Sequence, residues 1–125
     1  MEEDFRGLLV AASPGGLTAE RINWMVHPQG VDFPGLVLTL VDDLSIMTQE
    51  GPSDLSAARV QVDCYALTYA EAVTIGRAVR ARLDGHSDAR FQGVFLSARR
   101  AGRDDAHSAR PYRVSLDFET AWNNF

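Results

Sequence analysis

The stretch that most restricts the fold is residues 57–84, in which the apolar spacing changes from every second residue to every third or fourth. Its first part alternates apolar and polar side chains, as in a strand with one buried face, and the apolar positions are Val60, Val62, Cys64 and Ala66. Thr68 with Glu71 three residues later forms a helix-capping pattern. The helix that follows ends at Gly85 and buries a stripe made of Ala72, Ile75, Gly76, Val79 and Leu83. A strand that leads directly into a helix predicts a fold containing both.

The other apolar patterns add one helix and four strands. Residues 2–12 have helical spacing, with three acids in the first turn. Strands are predicted around Ile22 and over 36–43, 94–99 and 112–122, and the last of these has one apolar face with Val114, Leu116, Phe118 and Trp122. We therefore predict an α+β fold, with two main helices packed on one face of a mostly antiparallel sheet of four to five strands.

The chain length of 125 residues predicts a single domain, 1–125. Within it, the segment 44–55 contains Gly51, Pro52 and Ser53 and interrupts the strand pattern. We interpret it as a loop, and its length is typical of loops with a function. The loop is also more apolar than solvent exposure requires, since it carries Leu44, Ile46, Met47 and Leu55. Two interpretations stay open, an interaction loop and a locally packed turn.

The charge balance restricts the class of partner. The formal net charge is −5 and the acids are spread along the chain, which disfavours sequence-independent binding of nucleic acid. The apolar stretches are all too short to span a membrane, and the acidic start MEEDF differs from the basic start of a signal peptide. We therefore expect a protein that is made and assembled in the bacterial cytoplasm, without membrane contact.

Residue types that carry catalysis or bind metals are present, but not in productive spacings. Cys64 falls on the predicted core face of its strand, and His27, His86 and His107 lie in predicted loops without metal-binding spacing. The acid pairs 42–43 and 104–105 lack the alternating pattern of a calcium loop. Glycines do not follow a strand as in a phosphate-binding loop. We predict no enzymatic activity, no cofactor and no metal site.

The remaining candidates for function are surface residues. On the second helix, Arg77, Arg80 and Arg82 point outward, either as an ordinary solvated face or as a contact with another subunit, where arginine is enriched. The full set of candidate interface or lumen residues is Asp42, Asp43, Ile46, Met47, Gln49, Glu50, Asp54, Arg77, Arg80 and Arg82.

The predicted N-terminal helix together with three segments resembles phage tail completion proteins, also called tail terminators, of long-tailed phages and gene transfer agents. The three segments follow in chain order. They are RINWMVHPQGVDFPGLVLTLVDD with its Arg21, Pro28, Gln29 and Pro34, then GPSDLSAARVQVDCYALTYAEAVTIGRAVRARLDG, and the closing YRVSLDF. The individual motifs are weak, but their order and spacing extend over nearly the whole chain.

The resemblance implies a structural protein of a virion or phage-like particle, located at the head-tail junction. Such proteins form a homohexameric ring that caps the head-proximal end of the tail tube. One face of the ring would meet the tail tube protein and the other the head completion (stopper) protein. DNA would pass through the lumen without specific binding, and Asp42, Asp43, Glu50 and Asp54 are the hypothetical lumen acids.

Three alternatives remain at this point. The chain could be a head-side connector or stopper, which is also small and ring-forming. It could be an assembly chaperone that is absent from the finished particle. It could also be a small enzyme or ligand-binding domain that uses Cys64 or a histidine.

Overall fold

A computed structural model describes residues 1–28, 30–48, 51–104 and 109–123; the side chains of 43–48, 51–55 and 123 are outside this description. The elements in chain order are α1 (Glu2–Ala12), β1 (Ile22–Trp24), β2 (Gly35–Thr48), β3 (Gly51–Ala66), α2 (Tyr69–Leu83), β4 (Phe91–Arg103) and β5 (Tyr112–Asn123). Two short 3-10 turns, Pro14–Gly16 and Ala19–Arg21, connect α1 to β1.

The five strands form one sheet with the order β1-β2-β3-β5-β4. β1 pairs with β2 in parallel, and the other three pairings are antiparallel. Buried residues from both helices and all five strands form one continuous apolar core. The predicted α+β fold, with two helices and a mostly antiparallel sheet, is confirmed.

Helix α2 begins where the capping pattern predicts. The Thr68 hydroxyl oxygen accepts a hydrogen bond from the Glu71 backbone N–H at 3.2 Å. The predicted stripe is buried in full: Ala72, Ile75, Gly76, Val79 and Leu83. The helix ends because the chain leaves the helical conformation at Asp84 and Gly85 follows with a positive φ of 81°.

The central strands bury the residues that their alternation predicts. In β3 the side chains of Val60, Val62, Cys64 and Ala66 are fully buried, and in β5 so is the face with Val114, Leu116, Phe118 and Trp122. In β2, Leu36 and Leu38 are buried, and so is Val37 between them, so this strand has buried residues on both of its faces. β4 is longer than predicted, since its pairing with β5 continues to Arg103.

The prediction of a loop over 44–55 is wrong for the described backbone. β2 continues to Thr48 and β3 begins at Gly51, so this segment is the distal part of a long antiparallel hairpin. From Leu55 onward β3 pairs with β5, whereas Gly51 and Pro52 pair with β2 alone. Pro52 is compatible with this two-stranded part because proline is tolerated in edge strands. Cross-strand pairing therefore outweighs the local turn preference of Gly51, Pro52 and Ser53.

Candidate interaction surfaces

Among the described residues both helices pack on one face of the sheet, and we call the opposite face the helix-free face. The strand register determines which residues it carries. Directly paired residues on neighbouring strands lie on the same face. Because Val60 and Val62 face the helices, the alternating residues Arg59 and Gln61 lie on the opposite face. A four-strand row of this helix-free face, from β2 to β4, consists of Asp42, Arg59, Glu119 and Phe95.

The centre of the helix-free face holds a polar network. The Asp63 side chain is only 6% exposed and accepts hydrogen bonds from the Ser115 hydroxyl at 2.5 Å and the Gln61 amide at 2.9 Å. Arg100 donates to both carboxylate oxygens of Asp117, at 2.6 and 3.2 Å, and to the Gln61 side-chain oxygen at 3.3 Å. The hydrogen bonds to Asp117, and then its charge, raise the pKa of Arg100. This network links β3, β5 and β4 with polar contacts.

Next to the network, toward the hairpin, the helix-free face has a groove of about 300 Å³. Its floor is low because Ala57, Ala121 and Gly93 stand side by side on three neighbouring strands. The Phe95 ring, 58% exposed, lies over Gly93, where an added Cβ would come within 2.5 Å of it. The complete lining is Asp42, Ala57, Ala58, Arg59, Gly93, Phe95, Glu119, Thr120 and Ala121. The groove therefore combines an exposed aromatic ring with charged margins.

The margins of the groove carry two acids and one base. Arg59 forms an exposed ion pair with Glu119 at 3.7 Å. The Asp42 carboxylate accepts a hydrogen bond from the Arg59 backbone N–H at 3.1 Å. Both contacts are solvent-exposed and contribute little to stability. With two carboxylates, Asp42 and Glu119, against the single cation of Arg59, the groove margin has a net negative charge.

The predicted arginines of α2 lie on the other side of the molecule. The residues opposite the buried stripe are Ala70, Thr74, Arg77 and Ala81, which are all exposed, and we call them the outer face of α2. Arg80, at the margin of this face, pairs with Asp84 at 3.7 Å. Arg82 is directed to His86, with 3.3 Å between its guanidinium and Nδ1. Of the three arginines, Arg77 stands at the centre of the exposed face.

The structure thus separates the predicted site residues into two groups. Asp42 lies on the helix-free face, whereas Arg77 and Arg80 lie on the helix side. The backbones of Asp43, Ile46, Met47 and Asp54 belong to the hairpin strands. Gln49 and Glu50 lie outside the described residues.

The contacts of Cys64, His27 and His86 are those of structural residues. Cys64 is fully buried, and burial raises the pKa of its thiol far above the ordinary value. His86 hydrogen-bonds Asp88 at 2.7 Å, and His27 stacks on Phe33 with ring centroids 4.5 Å apart. Within the described ranges, no three potential metal-ligating side chains cluster together. In the same part of the chain, neither helix has the length and apolar content that crossing a bilayer requires.

The groove was not predicted from the sequence. Its main residue, Phe95, is preceded by the fully buried Val94, so strict alternation along β4 could have identified an outward-facing aromatic side chain. The small residues Ala57, Gly93 and Ala121 are far apart in sequence. Their alignment depends on strand register, which no local pattern in the sequence reports.

Comparison with known proteins gives the context for these surfaces. The sequence matches the family described as "Tail completion protein gp17" over residues 8–122. The chain belongs to the tail completion protein gp17 family. The resemblance found in the sequence is therefore confirmed, and members of this family are structural virion proteins. No curated protein gives a match.

A solved structure has the same fold as this tail completion protein. A chain of the "Virion of native gene transfer agent (GTA) particle" aligns with a TM-score of 0.67 and 18% sequence identity. The alignment covers 92% of this chain and 84% of the other. Family membership assigns the protein a structural role in completing a phage-type tail. A structural family argues against an enzymatic role.

Proposed function

We propose that this tail completion protein forms a ring that caps the head-proximal end of the tail tube and joins it to the head completion protein. The observation that carries the proposal is the family match over residues 8–122. In the assembled particle the protein would lie at the head-tail junction, and DNA would pass through the ring without specific contacts. The net charge of −5 is compatible with such passage, because it disfavours adhesion of the duplex.

The surfaces described above suit a ring. A closed ring of identical subunits with head-to-tail contacts needs two different, complementary flanks on each subunit. The helix side and the helix-free side of this sheet differ in shape and in charge. The exposed acids and arginines on these surfaces can form the intersubunit pairs that determine orientation.

Electron microscopy of particles from a strain that lacks the gene tests this function. If the protein caps the tube, tail tubes should be overlong or frayed and separate from filled heads. Restoring the gene on a plasmid should return tails to a uniform length. Tails of normal length beside unattached or leaking heads would instead assign the protein to the head side of the joint. Intact, joined particles would refute a role in joining altogether.

A further inference from the structure

The groove on the helix-free face has the features of a docking surface. Its open floor consists of Ala57 and Ala121, beside Gly93 under the Phe95 ring, so an incoming element can approach the backbones of β3 and β5 closely. Phe95 supplies an exposed aromatic ring at its side, and aromatic residues are enriched at the centres of interfaces. A groove of this kind is suited to contact with a protein element.

The outer face of α2 has the complementary shape. Its exposed residues are small except for Arg77, so the helix can lie close to a flat surface. Within the described residues, Arg77 forms no ion pair. The two helices of this chain already pack on one face of the sheet. A helix from another copy would pack on the opposite face in the same general way.

The charge at the groove margin favours an occupant with a basic surface. The groove margin has two carboxylates, Asp42 and Glu119, against the single cation of Arg59. The outer face of α2 presents Arg77, whereas Arg80 at its margin is already paired with Asp84. The acidic groove and the basic helix face are thus complementary and lie on opposite sides of one chain. Because every copy of this chain carries both surfaces, a second copy can supply the helix face that matches the groove.

We propose that the outer face of α2 of one copy docks into the groove of the next, with Arg77 beside Glu119 and the helix against Phe95. The contact is head-to-tail, so each copy uses both surfaces, and the repeat closes into a ring when the rotation per copy allows it. The inference rests on the ring of the proposed function and names the surfaces that build it.

Cysteine cross-linking in assembled particles tests the contact. The variant with Arg77→Cys and Glu119→Cys is produced in the deletion strain, and purified particles are oxidised. We expect a ladder of cross-linked multiples that stops at a fixed number of copies. Native Cys64 does not compete, because it is fully buried and burial raises the pKa of its thiol. The matched control combines Arg77→Cys with Glu20→Cys, an exposed acid outside the groove, and should give no ladder.

Each single-cysteine variant distinguishes the type of contact. In a head-to-tail contact, Arg77→Cys alone and Glu119→Cys alone should give no cross-linked product. Dimers from either single variant would show a symmetric contact and overturn the proposal. Cross-links from the double variant to a tube or head protein would assign the surface to that partner and overturn it as well.

The outcomes for the contact and for the proposed function can be told apart. If particles with the double variant have tails of normal length but give no ladder, the contact is refuted while tube capping stands. If the wild-type protein is missing from purified particles, the proposed function fails and the contact is refuted with it.

Charge reversal provides a second, independent readout. Arg77→Glu and Glu119→Arg should each reduce the number of joined particles by about tenfold, because like charges then meet across the contact. The double variant restores opposite charges and should recover most of the loss. Glu20→Arg is the control and should leave particle numbers unchanged. Equal losses in the single and double variants would contradict the pairing of Arg77 with Glu119.

Discussion

At the residue scale, side chains that resemble catalytic groups have structural roles in this protein. Asp88 is an example, because it organises the turn between α2 and β4. Its carboxylate accepts hydrogen bonds from the backbone N–H groups of Arg90 and Phe91, both at 2.8 Å, and contacts His86 at 2.7 Å. These contacts, led by the hydrogen bond from Phe91, lower the pKa of Asp88. The histidine and the acid therefore stabilise a turn.

The effect of Asp88 on stability should depend on pH. A carboxylate with a lowered folded-state pKa stabilises the fold above its unfolded pKa of about 3.9, and this contribution is lost as the pH falls through the folded value. Asp88→Ala should reduce the free energy of unfolding by about 1 kcal/mol at pH 7, since the site is partly exposed. Urea titrations at pH 7 and pH 3 should show a smaller difference from the wild type at pH 3.

Asp88→Asn is the control, since its amide oxygen can still accept from both N–H groups but carries no charge. We expect a smaller loss at pH 7 for this variant than for Asp88→Ala. An Asp88→Ala difference of equal size at both pH values would show that ionisation of Asp88 does not contribute.

At the element scale, local sequence predicts α2 well and the β2–β3 hairpin poorly. The cap and the buried stripe of α2 follow from residues within one or two turns of each other. The distal hairpin instead contains Gly51 and Pro52, which locally favour a turn. Its strands form because each provides hydrogen bonds to the other, over a register that runs from Gly35 to Thr48. Pairing of this kind is invisible to a pattern read along one strand.

The cap of α2 should contribute measurably to stability. Thr68→Ala removes the acceptor for the Glu71 N–H, and we expect a loss of about 1 kcal/mol in the free energy of unfolding. Thr74→Ala is the matched control on the same helix, because its hydroxyl donates to the Ala70 carbonyl, which is already inside the helix. Thr74→Ala should be neutral or slightly stabilising in the same denaturation experiment. Equal losses for the two variants would contradict a capping role for Thr68.

At the scale of the whole molecule, the sheet separates two unlike sides. Helices cover one face, and the other carries a polar network and a groove. The hairpin extends past the last pairing of β3 with β5, at Leu55 and Asn123. Its residues Gly51 and Pro52 pair with β2 alone, so the tip of the hairpin adds little to the main sheet. An extension of this kind is suited to contact with another molecule.

Replacing residues 46–55 with Asn-Gly should separate folding from assembly. Ser45 and Ser56 are paired in the native register, and Asn-Gly forms the two-residue turn that joins such a pair. We expect a thermal midpoint within a few degrees of the wild type, but overlong tails when the variant replaces the native gene. A folded variant that produces normal tails would exclude the distal hairpin as an interaction element. A variant that fails to fold would instead show that the hairpin stabilises the domain.

The sequence by itself determined the class of fold, the bounds and buried stripe of α2, the core faces of β3 and β5, and the burial of Cys64. These features follow from residues close together in the chain, because apolar periodicity reports which face of an element is buried. Only the tertiary structure decided the hairpin strands, the groove beside Phe95, and the location of Asp42 and Arg77 on opposite sides. They depend on strand order and register, which are decided by contacts between residues such as Ala57, Gly93 and Ala121 that are distant in sequence.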